Sequence, residues 1–195
     1  QCAAAPATLS ISSGSCADPA FTVRQSTDAA AVVELSGSGA YSGVSVDLAA
    51  LGSGHGVRAA DDGTISLIGT PTDGVMISTY GDGGRGLYAD SGGQITGSYT
   101  LVYTNGAGAH GVEAIGTGSD VTLTDSEVNT ALDNAHGAYS SGGGTITLTR
   151  TSVTTYGAGA SAVFADAGGS IALNDLSTYS YGDDAAGAVA SGADS

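Results

Sequence analysis

The sequence predicts an all-β fold, a three-sided parallel β-helix with about 25 residues per coil. Three observations carry this. Residues 110–135 read HGVEAIGTGSDVTLTDSEVNTALDNA, and residues 136–160 read HGAYSSGGGTITLTRTSVTTYGAGA, a near copy. Each copy holds three short β-prone runs divided by turns rich in Gly, Ser and Asp. Within the runs apolar residues alternate with period two, and no 3.6-residue periodicity persists beyond one turn, which opposes a helical solenoid. The chain also has 33 Gly, 41% apolar residues and no Trp. It can build a thin core of Val, Ile, Leu, Ala and Thr closed by tight turns, but no bulky globular interior.

The elements follow in order. Residues 1–29 do not repeat; they hold Cys2, Cys16, Pro6, Pro19 and the alternating run Leu9-Ser10-Ile11. They are expected to form an N-terminal cap, because the open edge of a first coil invites strand addition. Residues 30–195 are the solenoid, opening with a weaker coil from Ala30 through Val32 to Gly54. A small-Gly-apolar step then starts each coil, at His55-Gly56-Val57, Arg85-Gly86-Leu87, His110-Gly111-Val112, His136-Gly137-Ala138, Ser161-Ala162-Val163 and Ala186-Gly187-Ala188. The longest step, from His55 to Arg85, holds an insertion at Gly69-Thr70-Pro71-Thr72-Asp73, placed in a turn because Pro and Gly break strands.

Alternation assigns the faces. In the first strand of each coil Val57, Leu87, Val112, Ala138, Val163 and Ala188 point inward. Arg58, Tyr88, Glu113, Tyr139, Phe164 and Val189 point outward to solvent. The second strand turns Val121 and Leu123, Ile146 and Leu148, and Ile171 and Leu173 inward. The third strand does the same with Ile77, Val102, Val128, Val153 and Thr178, beside a stack of Thr79, Thr104, Thr130, Thr155 and Ser180 near the turn. Like residues stack because each coil hydrogen-bonds to the next, roughly 4.8 Å away.

Charge narrows the partners. The net charge is −15, with four cationic side chains, all Arg. Nucleic acid and anionic membrane surfaces are excluded, since both are held by Lys and Arg. No apolar run reaches the roughly 20 residues needed for a spanning helix. Cys2 and Cys16 would close a loop of about 15 residues in an oxidising compartment, worth roughly 3 kcal/mol, or remain as two thiols; their spacing is not that of a zinc site. A bridge is expected, and with it an exported protein.

The phrase Gly-Ala-Gly-Ala-His-Gly-Val-Glu-Ala at residues 106–114, followed by Ser-Asp-Val-Thr-Leu-Thr-Asp-Ser-Glu-Val-Asn-Thr at 119–130, resembles the passenger domains of bacterial autotransporters, the pertactin-like group above all. The resemblance covers roughly residues 30–195. It implies a right-handed β-helix exported through the outer membrane of a Gram-negative bacterium, then displayed at the cell surface or secreted. Such passengers act in adhesion, autoaggregation, biofilm formation and virulence. The last residues, Gly192-Ala193-Asp194-Ser195, fall in the turn after a first strand, as expected of a fragment cut mid-coil. An integrin-type Arg-Gly-Asp is not carried over, because Arg85-Gly86 is followed by Leu87.

Candidate chemistry is sparse. His55, His110 and His136 share one position, with Arg85 between the first two. They either hydrogen-bond turn backbone or offer part of a metal site, which needs a third or fourth ligand. Asp61-Asp62 and Asp183-Asp184 lie about five coils apart, roughly 24 Å, too far for one catalytic pair. The four Arg look scattered, no Gly-x-Ser-x-Gly elbow has a His partner, and no cofactor or enzyme activity is expected. The best binding candidates are Arg58, Tyr88, Glu113, Tyr139 and Phe164 on the first strand, and Tyr103, Tyr156, Tyr179 and Tyr181 on the third strand and its turn. Their rings either meet a ligand or only stack on one another. The expected function is adhesion to a host or neighbouring-cell protein, to a neutral glycan, or to another copy. The alternatives are a β-helix polysaccharide lyase or glycoside hydrolase and, third, an ice-binding protein. The last rests on the rows Ser66/Ile68, Thr96/Ser98, Thr122/Thr124, Thr147/Thr149 and Ala172/Asn174, of which two coils keep Thr-x-Thr.

Overall fold

A computed structural model describes residues 2, 8–20 and 22–195 of the chain. Three parallel sheets of eight, seven and seven strands wind into a β-solenoid, and no helix occurs among the described residues. The first sheet holds Leu9–Ile11, Val33–Ser36, Val57–Ala60, Leu87–Asp90, Val112–Ile115, Ala138–Ser141, Val163–Asp166 and Ala188–Ser191. The second holds Ser15–Asp18, Ala40–Val44, Thr64–Ile68, Gln94–Ser98, Asp120–Thr124, Thr145–Thr149 and Ser170–Asn174. The third holds Val23–Ser26, Asp47–Ala50, Val75–Thr79, Thr100–Thr104, Glu127–Thr130, Ser152–Thr155 and Ser177–Ser180.

Every strand inside a sheet pairs with its counterparts one coil before and after, and each edge strand with one of them, in the expected register: Val112 opposite Ala138, Val121 opposite Ile146, Val128 opposite Val153. A slip of one residue would turn each apolar column to solvent. Instead Val57, Leu87, Val112 and Ala138, Ile65, Ile95, Val121 and Ile146, and Leu48, Ile77, Val102, Val128 and Val153 are all buried. The insertion is a turn, closed by Thr70 N–H donating to the Asp73 carbonyl at 3.0 Å.

The recurring Gly has a steric cause. A Cβ on Gly86, Gly111 or Gly137 would run into the γ-methyl of Val102, Val128 or Val153, and into a carbonyl oxygen of the next coil. The threonine stack closes the adjoining turn. Thr79, Thr104, Thr130 and Thr155 are fully buried, and each hydroxyl donates to the carbonyl five residues ahead, at 2.6, 2.7, 2.5 and 2.5 Å. These bonds satisfy carbonyls that no strand pairs.

The N-terminal stretch differs from the expectation. The stretch expected to cap the solenoid contributes one strand to each sheet, so it is itself the first coil, with Cys2 and Cys16 disulfide-bonded and their Cα atoms 5.1 Å apart. Its core position is filled by Arg24, which sits opposite Leu48 and is fully buried. Arg24 clasps Asp18 with two nitrogens at 2.5 and 2.8 Å, and Tyr41 donates to the same carboxylate at 3.0 Å. Such a pair must be multiply hydrogen-bonded to tolerate burial. At the other end Ile171, Leu173, Thr178 and Ala188 keep the expected inward register on the outermost strands of the three sheets, where Leu173 is 40% exposed.

Candidate functional site

The outward column of the first sheet runs Glu34, Arg58, Tyr88, Glu113, Tyr139, Phe164, Val189, one residue per coil. Beside it, at the strand entry, lie His55, Arg85, His110, His136 and Ser161. Each histidine is fixed by backbone. The N–H groups of Arg85, His136 and Ser161 donate to Nδ1 of His55, His110 and His136, at 3.1, 3.0 and 3.0 Å. An accepting Nδ1 carries no proton, so the proton of each neutral ring sits on Nε2. Burial, then the nearby guanidinium of Arg85, pushes His55 down to about 4. Burial, then His136 and Arg85, pushes His110 down to about 3. Burial lowers His136 as well.

The rings of the two columns stack. His110 lies 5.0 Å from His136 and 4.9 Å from Tyr139, and His136 lies 4.6 Å from Phe164, all near parallel. Tyr88, Tyr139 and Phe164, expected to stand free in solvent, are therefore half-buried against neighbouring coils. Glu113 departs further: it faces outward in register, yet it is 1% exposed. Arg85 reaches over it and donates from Nε at 2.5 Å. Burial pushes the Glu113 carboxyl up, and the Arg85 hydrogen bond opposes that.

The Arg residues also prove less scattered than the sequence suggested. Arg58 bridges Glu34 at 2.7 Å and Asp90 at 2.8 Å. Arg58 and Arg85 sit 5.8 and 5.3 Å from the Tyr88 ring centroid. Glu34, His55, Arg58, Arg85, Tyr88 and Asp90 line a shallow pocket of about 340 Å³. Sequence reasoning missed Glu34 and Asp90. The signal was their outward parity in Val33–Ser36 and Leu87–Asp90, combined with the one-coil reach of an Arg side chain. No group of three or more His, Cys, Asp or Glu placed to hold a metal occurs among the described residues.

The third sheet is arranged differently. Tyr103 is half-buried, but Tyr156, Tyr179 and Tyr181 are 55, 51 and 65% exposed. Tyr156 and Tyr181 are in register one coil apart, with ring centroids 5.4 Å apart and planes 12° apart; Tyr179 lies 6.4 Å from Tyr181 at 9°. Leu51, Met76, Tyr80 and Leu132, which sequence reasoning did not single out, are exposed on the same face and its turn. The outward columns of this sheet contain Asp47 and Glu127 but no Arg. Between the second and third sheets an open groove of about 610 Å³ runs past Thr70, Tyr99, Asp125, Arg150 and Asp175. Tyr99, Asp125, Arg150 and Asp175 all adopt positive φ there. The strain is offset by N–H bonds to the next coil, such as Tyr99 to Thr124 and Arg150 to Asn174, at 3.1 and 2.8 Å.

Fold and surface together define an acidic, disulfide-bearing three-sided β-solenoid whose first face half-buries its rings against histidines and whose third face carries exposed tyrosines. Comparison with family models, with curated proteins and with solved structures finds no match to this chain.

Proposed function

We propose that the chain is a surface-displayed adhesive module of the autotransporter-passenger type, acting in adhesion, autoaggregation or biofilm formation through its third face. The observation that carries this reading is the exposure of Tyr156 at 55% within the stack, with Tyr80, Met76 and Leu132 also exposed on that face and its turn; Tyr179 and Tyr181 continue the row on the sheet's outermost strand and the turn after it. Contiguous exposed apolar area rimmed by polar groups marks an interaction surface. Tyr is also enriched among residues that dominate binding energy. The partner is a host or neighbouring-cell surface protein, a neutral glycan, or another copy. An anionic partner fits poorly with a chain of net charge −15.

The test compares two triple variants on cells displaying the protein. Tyr156→Ser/Tyr179→Ser/Tyr181→Ser should abolish most adhesion or aggregation with circular dichroism unchanged. Tyr88→Ser/Tyr139→Ser/Phe164→Ser should act mainly on stability, because those rings pack on histidines. Adhesion that survives the first variant and is lost in a folded second variant would return the function to the first face.

A carbohydrate-active enzyme is the second reading, favoured by the meeting of Glu34, Asp90, Arg58 and Tyr88 in one pocket. General acid–base cleavage needs a carboxyl free to exchange a proton with substrate, and here one guanidinium engages both carboxylates. Release of reducing ends from a polysaccharide, lost in Asp90→Asn, would establish this reading.

A further inference from the structure

The tyrosines of the third face have a property separate from adhesion. Tyr156 and Tyr181 occupy the same position in successive coils: their N–H groups donate to the carbonyls of Thr130 and Thr155, at 3.0 and 2.9 Å. Their rings are nearly coplanar in orientation and 5.4 Å apart, and both are open to solvent. The chain offers few competing sites for a one-electron oxidant. It has no Trp and one Met, and no free cysteine occurs among the described residues.

We infer that Tyr156 and Tyr181 form an oxidative cross-linking site, at which a haem peroxidase with hydrogen peroxide joins the two rings as a dityrosine spanning adjacent coils. Each phenol loses one electron and one proton to the oxidised haem, giving two phenoxyl radicals. These couple through a new carbon–carbon bond between ring carbons ortho to oxygen. Each of those carbons then returns its hydrogen to the phenolic oxygen. The two electrons and two protons withdrawn reduce one hydrogen peroxide to two waters, so the step balances.

Geometry selects this pair. Exposed side chains rotate on the picosecond to nanosecond scale, so in-register rings reach bonding contact without backbone movement. Tyr179, 6.4 Å from Tyr181, is a third phenol able to pass its radical to the pair. Tyr80 and Tyr103 are 6.5 Å apart, but they belong to different outward columns and Tyr103 is half-buried, so they lack the in-register, freely rotating approach of the first pair. Tyr139 packs between His110 and Phe164 and has no phenol beside it. Tyr41 is 2% exposed and hydrogen-bonded to Asp18. Because each solenoid coil is held by its neighbours alone, a covalent link between coils fastens the structure where strand pairing otherwise acts unaided.

The inference does not rest on the adhesive reading. The experiment treats the full chain with a haem peroxidase and hydrogen peroxide, isolates the monomer band on a denaturing gel, and measures dityrosine fluorescence and linked peptides by mass spectrometry. The expected product is a monomer short of two hydrogens with the Tyr156 and Tyr181 peptides joined. Tyr156→Phe and Tyr181→Phe keep the ring stack but remove one phenol, and each should cut the monomer signal about fivefold or more; Tyr139→Phe and Tyr80→Phe should leave it unchanged. Dityrosine confined to dimers, a linked pair other than these two, or an undiminished signal in Tyr181→Phe would overturn the assignment. Adhesion is read in parallel on Tyr181→Phe, which retains the apolar ring, so failure of the cross-link leaves the adhesive reading standing.

Discussion

Acid should weaken this fold at a pH where most carboxylates are still ionised, because of the histidine column. In the unfolded chain each histidine titrates near 6.5, whereas burial holds His55 at about 4 and His110 at about 3. The unfolded state therefore binds more protons over that interval. The stabilisation is complete above about pH 6.5 and is lost as pH falls through the folded values. At pH 5 the shortfall is about 1.5 units for each of the two rings, or about 2 kcal/mol each at 1.36 kcal/mol per unit. Together they contribute about 4 kcal/mol at most, less whatever solvent at the sheet edge screens. The limiting slope for two protons is about 2.7 kcal/mol per pH unit. Glu113 works the other way: its carboxyl is pushed up, so its neutral-pH cost is relieved as acid protonates it. The physical event is the loss of an acceptor, because a protonated Nδ1 confronts the backbone N–H of Arg85 or His136 instead of receiving it. Urea unfolding from pH 7.5 to 5 measures the slope. His55→Asn/His110→Asn/His136→Asn places an amide oxygen where Nδ1 accepts the same N–H groups, without titrating, and it should flatten the profile. A wild-type midpoint that does not move between pH 7.5 and 5, or an equal slope in the triple variant, would refute the reasoning.

Two further substitutions test the packing. Gly111→Ala should cost roughly 1–3 kcal/mol by overpacking, since its Cβ meets the Val128 methyl and the Gly137 carbonyl. Adding Val128→Ala should recover part of that loss in a double-mutant cycle read by urea unfolding, and strictly additive losses would show that the two side chains do not compete for one space. Thr130→Val should cost about 1–3 kcal/mol by leaving the buried Ala135 carbonyl without a donor, whereas Thr130→Ser should retain most of the stability. Equal melting temperatures for the Val and Ser variants would remove the hydroxyl from the account.

The fold was legible because a solenoid writes its contacts into its period. Residues 25 apart sit on one another, so Val128 over Val153 and Thr130 over Thr155 can be aligned by eye. Parity then separates core from surface. What parity does not carry is the reach of a long side chain along the axis. Glu113 has outward parity but lies beneath Arg85, which comes from the preceding coil. Arg58 spans from Glu34 to Asp90, two coils apart, so residues that look dispersed in the sequence meet in one pocket. Arg24 failed for another reason. The first coil lacks the Gly landmark that tracks the rest, so its inward parity went unread, and the charge at its core position is paired with Asp18, which Tyr41 also holds.

The same axial geometry governs which face is free to bind. Where a planar residue follows another at one position, coil after coil, each ring covers its neighbour. The first face does this with His110, His136, Tyr139 and Phe164, and it turns its cations onto its own carboxylates. Its groups are bound before any partner arrives, and a ligand there would have to displace them. On the third face small residues separate the earlier tyrosines from the later ones, and the in-register stack forms at Tyr156 and Tyr181 alone. Asn105 and Ala131 stand between Tyr80 and Tyr156, and Asn129 and Thr154 stand between Tyr103 and Tyr179. Tyr156 stacks on Tyr181 one coil on, but no ring among the described residues covers its other side, and it stays 55% exposed; such apolar surface is what association can remove at about 25 cal/mol per Å² before the entropic costs of binding. The face richer in chemistry is thus the one whose groups already bind each other, which is why the adhesive surface proposed above is the plainer third face.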